Sequence, residues 1–533
     1  MSKGLPSLVA AACLAAQLAS CGGGGSPGGG GGGGNAHTLS GTLVYDKVPS
    51  TVTGLNYAGT VEKPIRGAEV RVVDAATSNT VLGSGVTDNS GHYSVSWNGD
   101  ASVKVAFLSR TTSPKVTVVD NTSVNKPVYG LISNAIDASS TSTVNLKAAS
   151  GWNGSSYASR GAAPFAVLDA AWQAVLAFQA ARPAVVFPDL VINWSASNAP
   201  VGPQGNETQD QAYAAGHIGT SHWNGTDLYI LGQADVDTDE FDDHVIVHEW
   251  GHYFESKLGR SDSPGGSHSA GQLKDPRLAF GEGWGNALSA MIWSPNTVYT
   301  DSSGFHQNSG FGFDLENNLD DANPGWFSEA SVQSILFDVF DGANEAHDTV
   351  ALGLGPIYDV MTKAQKDTPA LTTLFSFIAA LKAANPGQAA AIDTLTQFHG
   401  VLLKPVADAY GTGETNNGGF PTILPVYRQF TGFGPTKAIP VTLLGDEFNS
   451  VKQNRYLRFT GDGGSHSVSI STSSTIDDVD VFVLQNGVVR AVAMGPTGTE
   501  TTPSFFTTNG VEYVILVSGF GGSASYNTLV TVN

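Results

Sequence analysis

The sequence predicts a multidomain protein in which a mixed α+β core lies between two all-β sandwich modules. Three observations predict it. The chain has 533 residues, room for about three domains of ordinary size. Apolar runs of period two, separated by Gly, Pro, Asn and Asp, fill residues 37–150 and 441–533. Between them, residues 164–411 turn to Ala-rich stretches of helical period with only a few strand-like runs.

Composition narrows the function. Lys and Arg number 26 against 47 Asp and Glu, a net charge of −21. That balance excludes the basic footprint nucleic acid requires and a polybasic patch for anionic membranes. Charged residues make up 14% of the chain, against about 25% in an ordinary soluble domain. With 64 glycines, this fits a secreted, β-rich, loop-rich protein. The two cysteines, Cys13 and Cys21, both lie near the N-terminus, which excludes a disulfide framework.

Residues 1–21 read as a signal peptide. Lys3 precedes a small, apolar stretch over 5–20, shorter than the ~20 residues that span a bilayer. It ends in Leu18-Ala19-Ser20-Cys21, which resembles a bacterial lipobox. The resemblance implies cleavage before Cys21, lipidation of its thiol, and firm anchoring once two or more acyl chains are attached. The alternative is an ordinary secretory signal with an incidental cysteine. Residues 22–36 form a Gly-rich tether. Gly22 stands where the lipobox family carries Asp for inner-membrane retention. The expected location is therefore the cell envelope, at the outer membrane or cell surface.

In the first β-rich region, Thr42-Leu43-Val44-Tyr45 and Glu69-Val70-Arg71-Val72-Val73 alternate as strands. Thr87-Asp88-Asn89-Ser90-Gly91-His92-Tyr93-Ser94 reads as a turn entering a strand. With Gly67-Ala68-Glu69-Val70 upstream, residues 37–150 resemble a carboxypeptidase-regulatory-like sandwich, which implies a spacer or binding surface. The core spans 151–411. Its helical periods cover 164–181, 328–340, 370–384 and 387–403, and its strand-like runs cover 185–193 and 228–231. Residues 412–440 are rich in Gly and Pro and read as a linker. Alternation returns at 466–472, 479–484, 512–517 and 528–532, with a hairpin signal at Gln485-Asn486-Gly487. Residues 441–533 resemble the bacterial pre-peptidase C-terminal sandwich.

The chemistry concentrates in His248-Glu249-Trp250-Gly251-His252. Residues four apart share one helix face, so two imidazoles converge on one cation, with the Glu placed to take a proton from water. Asp242 or Asp243 can cap such a helix and Gly259 can close it. Catalytic zinc takes three protein ligands. A histidine six positions after His252 is ruled out, because Leu258 stands there. Glu282, in Phe280-Gly281-Glu282-Gly283-Trp284-Gly285-Asn286 at the start of an apolar helix, is the favoured third ligand. Glu255, one turn beyond His252, is the competing candidate.

These segments together resemble the gluzincin metallopeptidases, most closely the fungalysin branch, with thermolysin more distant. The resemblance spans about 164–411 as an architecture and only the segments around the two motifs in detail. It implies zinc held by His248, His252 and Glu282, with Glu249 as general base. It also implies that Trp223-Asn224-Gly225-Thr226-Asp227-Leu228-Tyr229-Ile230 is an edge strand that pairs with an extended substrate. The family often has Asp four residues after the Glu ligand to orient a zinc histidine; here that position is Asn286, an uncharged acceptor. No tyrosine between Tyr253 and Tyr299 matches the family's oxyanion-stabilising Tyr, and no fungalysin-like propeptide is present. His347 is a candidate transition-state histidine or a surface loop residue.

Asp235-Val236-Asp237-Thr238-Asp239 resembles the start of a calcium loop. However, Glu240 stands at the sixth position and Ile246 at the twelfth, where such loops need Gly and Glu. The expectation is a solvated acidic loop, with irregular calcium binding as the alternative. No Gly-x-Ser-x-Gly elbow and no phosphate-binding loop occur. The functional expectation is a lipid-anchored zinc endopeptidase, monomeric, acting on proteins or peptides. The rivals are a surface binding or adhesion lipoprotein with an inactive peptidase core, and a zinc aminopeptidase.

Overall fold

The computed structural model describes residues 35–533 except 79, 139–142, 270, 317–320, 343–347, 445–447, 473–477, 497 and 521–524. Cys13, Cys21, most of the tether and His347 lie outside the described residues. The described part is multidomain, with several β-sheets and eight α-helices. It divides into two compact units: residues up to Tyr253 with Tyr299–Phe313, and Phe254–Val298 with Asp314–Asn533. Among the described residues no helix is long and apolar enough to cross a membrane.

In the first unit, alternation becomes strand as its period dictates. His92–Asn98 buries Tyr93, Val95 and Trp97 and exposes the residues between them. Asp88 shapes the preceding turn, its Oδ1 accepting from Ser90 N at 2.8 Å and His92 N at 2.9 Å. This strand pairs antiparallel with Ala36–Lys47, which also pairs with Val61–Pro64 and, in parallel, with Leu146–Ala148.

A larger sheet runs from Val81–Val86 through Ala68–Asp74, Val103–Thr111, Val116–Val119, Leu190–Trp194 and Leu228–Ile230 to His222–Trp223. It passes straight through position 150, the expected end of the first module, because Val116–Val119 pairs in parallel with Leu190–Trp194. All four residues of Val116–Val119 are buried, the pattern of a strand covered on both faces. Leu228–Ile230 is also an interior strand rather than the expected edge; His222–Trp223 is the edge. Helix α1 (Ala163–Ala181) opens with Pro164 in its first turn and is apolar nearly all round, so it packs as a core helix against this sheet. Helix α2 (Gln209–Ala215) has a capping box from Thr208 and Gln211 and ends at Gly216, φ 85°. Helix α3 (Asp243–Lys257) follows.

In the second unit, α4 (Pro276–Trp293) is capped by Asp275, whose side chain accepts from Arg277 N at 3.0 Å. It packs along α5 (Glu329–Phe340), capped by Ser328. The helices approach so closely that a Cβ on Gly283 would lie 2.6 Å from Val332. Leu374–Ala384 and Ala389–Phe398 form helices inside the two later helical windows. Two C-terminal sheets, built on Asn454–Thr460, Glu512–Phe520 and Asp478–Gln485, and on Tyr526–Val532 and Val468–Thr472, share one core including Leu457, Val481, Ile515, Ile470 and Val530. The expected linker 412–440 is partly sheet. Tyr427–Gln429 pairs with Asn454–Thr460, and Val426, Tyr427 and Phe430 are buried, an apolar cluster too short to show a period. The hairpin signal folds as its residues require: Asn486 and Gly487 have φ of 48° and 76°, the two positive φ values of a type I′ turn.

Candidate metal centre

Helix α3 is fixed by what it buries. Ile246, Val247, Trp250 and Phe254 are fully enclosed. The Trp250 ring packs 5.6 Å from Phe178 on α1 and 5.4 Å from Phe187. Its entry is held by side chains from elsewhere: Lys47 Nζ lies 2.6 Å from Asp243 Oδ1, and Asp242 Oδ2 accepts from Ser302 N and Oγ at 3.2 and 2.7 Å. With the apolar face locked, the helical register turns His248 and His252 to one side. Their Nε2 atoms are 3.1 Å apart, with the rings at 81°. Two nitrogens sharing one tetrahedral cation at 2.0–2.1 Å stand about 3.3 Å apart, so the pair already has the required bite.

Glu249 is nearly buried, and its Oε2 accepts the Trp223 N–H at 2.9 Å. The sheet edge therefore fixes one of its two carboxylate oxygens. Glu282 on α4 is 7% exposed. With His248 and His252 it makes up a set of donors, two imidazoles and one carboxylate, of the kind able to hold a metal ion. Glu255 is not one of that group; it lies against α4, where a Cβ on Gly281 would come within 3.5 Å of its Oε2. Asn286 donates from Nδ2 to Gln333 Oε1 at 2.9 Å, which orients its amide.

Two residues near these groups escape sequence reasoning. His268 sets Nε2 3.2 Å from Glu282 and Nδ1 2.7 Å from Glu329, bridging the two carboxylates. The buried Tyr299 ring lies 6.4 Å from His248 and 5.9 Å from His244. Burial and the nearby Asp301 and Glu249 carboxylates push its hydroxyl pKa well above normal, so it stays protonated. Neither residue sits in a periodic pattern or a motif. The only sequence signal was Tyr299 as the first tyrosine after α4.

A second group comprises Asp237, Asp239 and Asp301, and a third Asp478, Asp480 and Glu500. The solvated acidic loop expected at 235–239 is not what forms. Only its start is exposed, whereas Thr238, Asp239 and Glu240 are enclosed, because Asp237 and Thr238 join a sheet with Gly232–Gln233 and Val298–Ser303. Burial first, then mutual repulsion, raises Asp237 to about 6 and Asp242 and Asp301 to about 7; Asp239 is also raised.

No family model matches the chain, and no curated protein matches it. Among solved structures, it is similar to the pre-peptidase C-terminal domain of collagenase from Bacillus anthracis. The identity is 11% and the TM-score 0.17, over 20% of this chain and 94% of that one. A second is CorA, a surface-associated copper-binding protein of Methylomicrobium album BG8, at 8% identity and TM-score 0.16, over 20% and 96%. A third is PliG of Aeromonas hydrophila, a periplasmic inhibitor of g-type lysozyme, at 9% and 0.15, over 20% and 97%. Likenesses of this size carry neither fold nor function across to the chain.

Proposed function

We propose that the protein is a zinc-dependent endopeptidase of the gluzincin type, nearest the fungalysin branch, anchored to the bacterial envelope through acylated Cys21. On this reading β-sandwich modules flank the peptidase core, the chain acts as a monomer on proteins or peptides, and its only membrane contact is the anchor. The observation that carries the proposal is the 3.1 Å approach of His248 and His252 Nε2 with Glu249 between them in sequence, held by Trp223. Two imidazoles and one carboxylate are the donor set of a catalytic zinc site.

His248, His252 and Glu282 would hold the zinc, which would supply a Lewis acid to activate water and polarise a carbonyl. Glu249 takes the proton of the attacking water and passes it to the leaving amine. Trp223 N–H holds Glu249 Oε2 throughout, so the proton moves through the other oxygen. The edge strand His222–Trp223 aligns an extended peptide by strand addition. Tyr299, kept protonated, supplies a donor beside His248, and His268 steadies Glu282 against Glu329. Asn286 orients a zinc histidine without adding charge.

The experiment is metal analysis of the purified chain together with hydrolysis of casein and a broad peptide library. The expected outcome is one zinc at this centre, internal cleavage, loss of activity with chelator and its return with zinc. Removal of N-terminal residues alone would favour the aminopeptidase. Zinc bound without cleavage of any substrate would favour the binding lipoprotein.

A further inference from the structure

We propose that Asp237, Asp239 and Asp301 form a calcium site, separate from the histidine centre, that ties the strand leading into α3 to the strand carrying Asp301. The three residues each bring a carboxylate oxygen within 4.8 Å of the other two. Oxygens bound to one calcium at 2.3–2.6 Å can stand up to about 5 Å apart, so all three reach a common centre.

A second, independent observation points to a ligand there. Asp239 is 2% exposed. Its Oδ2 takes the Ser221 hydroxyl, while its enclosed Oδ1 has no hydrogen-bond partner. Asp237 Oδ1 and Thr238 Oγ1 are enclosed and equally unmatched. Among the described residues, no Lys, Arg or His pairs with any of the three carboxylates. The cations close in sequence and space are engaged: Arg160 with Glu240 at 2.8 Å, and Lys47 with Asp243 at 2.6 Å. Buried carboxylate oxygens without donors are costly unless a cation or a proton sits among them.

The donors select the ion. They are all oxygen, which favours a hard cation over zinc. Three carboxylates from irregularly spaced positions suit the flexible, high-coordination shell of calcium. Magnesium demands near-ideal octahedral geometry and keeps most of its water. The placement gives the site a role. Asp237 lies opposite Ser303 across the strand pair, and Asp242, one residue before α3, accepts both donors of Ser302. An ion joining Asp237 and Asp239 to Asp301 therefore clamps the entry of α3 to the strand that carries Tyr299.

The test uses the full chain in detergent, freed of metal, titrated with calcium alone by calorimetry and followed by thermal unfolding. Asp237→Asn, Asp239→Asn and Asp301→Asn are compared with Asp480→Asn, which alters the separate acidic group at Asp478, Asp480 and Glu500. The expected result is a calcium-binding event in wild type that raises the midpoint by about 5 °C or more at a hundredfold excess over Kd. That event persists in Asp480→Asn and weakens at least tenfold in the other three. Asp237 is only partly buried, so Asp237→Asn keeps the test decisive if Asp239→Asn does not fold. The proposal is overturned if wild type binds no calcium at millimolar concentration, meaning the cluster holds protons only. It is also overturned if magnesium binds as tightly, or if the event disappears in Asp480→Asn and survives in Asp237→Asn.

Discussion

Glutamine at position 249 separates proton transfer from every other property of the metal centre. Glu249 Oε2 accepts the Trp223 N–H at 2.9 Å, and the amide oxygen of glutamine accepts it equally well. The side chain keeps its length and its place on α3, and the two histidines keep their 3.1 Å bite. Only the base is lost. General acid–base catalysis contributes roughly 10²–10⁴-fold. Here one carboxylate both removes the proton and delivers it, so the expected loss in kcat/KM is at least about 10⁴-fold, roughly 5.5 kcal/mol. Glu249→Asp gives a graded comparison. One methylene less draws the carboxylate back by about 1.5 Å, so it cannot hold Trp223 and reach the water together, and a loss of about 10²-fold follows. Both variants should keep wild-type zinc, whereas His248→Ala should lose metal and activity together. The assay is hydrolysis of a quenched fluorescent peptide, with metal content measured on the same samples. Equal rates for wild type and Glu249→Gln, both holding zinc, would refute the assignment of Glu249 as base.

Glu282→Ala should abolish zinc retention and Glu255→Ala should spare it; metal analysis giving the reverse order makes Glu255 the third ligand. Cys21→Ser should move the protein from the membrane to the soluble fraction, and a variant that is still cut after Ser20 and stays membrane-bound refutes lipidation. Asp275→Asn should cost about 3–5 kcal/mol at pH 7, because Arg277, now held through Nε and Nη2 at 2.9 Å each, is left buried without its charge partner. Burial pulls the Asp275 carboxyl up, but Arg277 and the Tyr456 hydroxyl outweigh it and hold it below its ordinary 3.8. Its contribution is therefore present above pH 3.8 and lost as the pH falls further. Urea unfolding of both forms at pH 7 and pH 3 checks this, and equal midpoints at pH 7 contradict it.

What the sequence makes legible here is what periodicity and fixed spacing encode. The residues of α1, the alternation of His92–Asn98 and the turn at Asn486-Gly487 all report local geometry, and each folds as its pattern requires. The approach of His248 to His252 is local too, being one helical turn. Pairing across long separations is not encoded this way. Nothing in the period of Val116–Val119 says that its neighbour is Leu190–Trp194, so a module boundary drawn where alternation fades cuts through a continuous sheet. His268 and Tyr299 fail for the same reason, since their contacts are set by partners distant in sequence. The acidic segment is the sharpest instance. Counting along a contiguous calcium loop asks for Glu at position twelve and finds Ile246. That test assumes one stretch of chain supplies every ligand. A strand pair that sets Asp237 opposite Ser303 brings in Asp301 from far downstream instead. The failed motif therefore excluded one way of building an oxygen site and left open the way this chain uses.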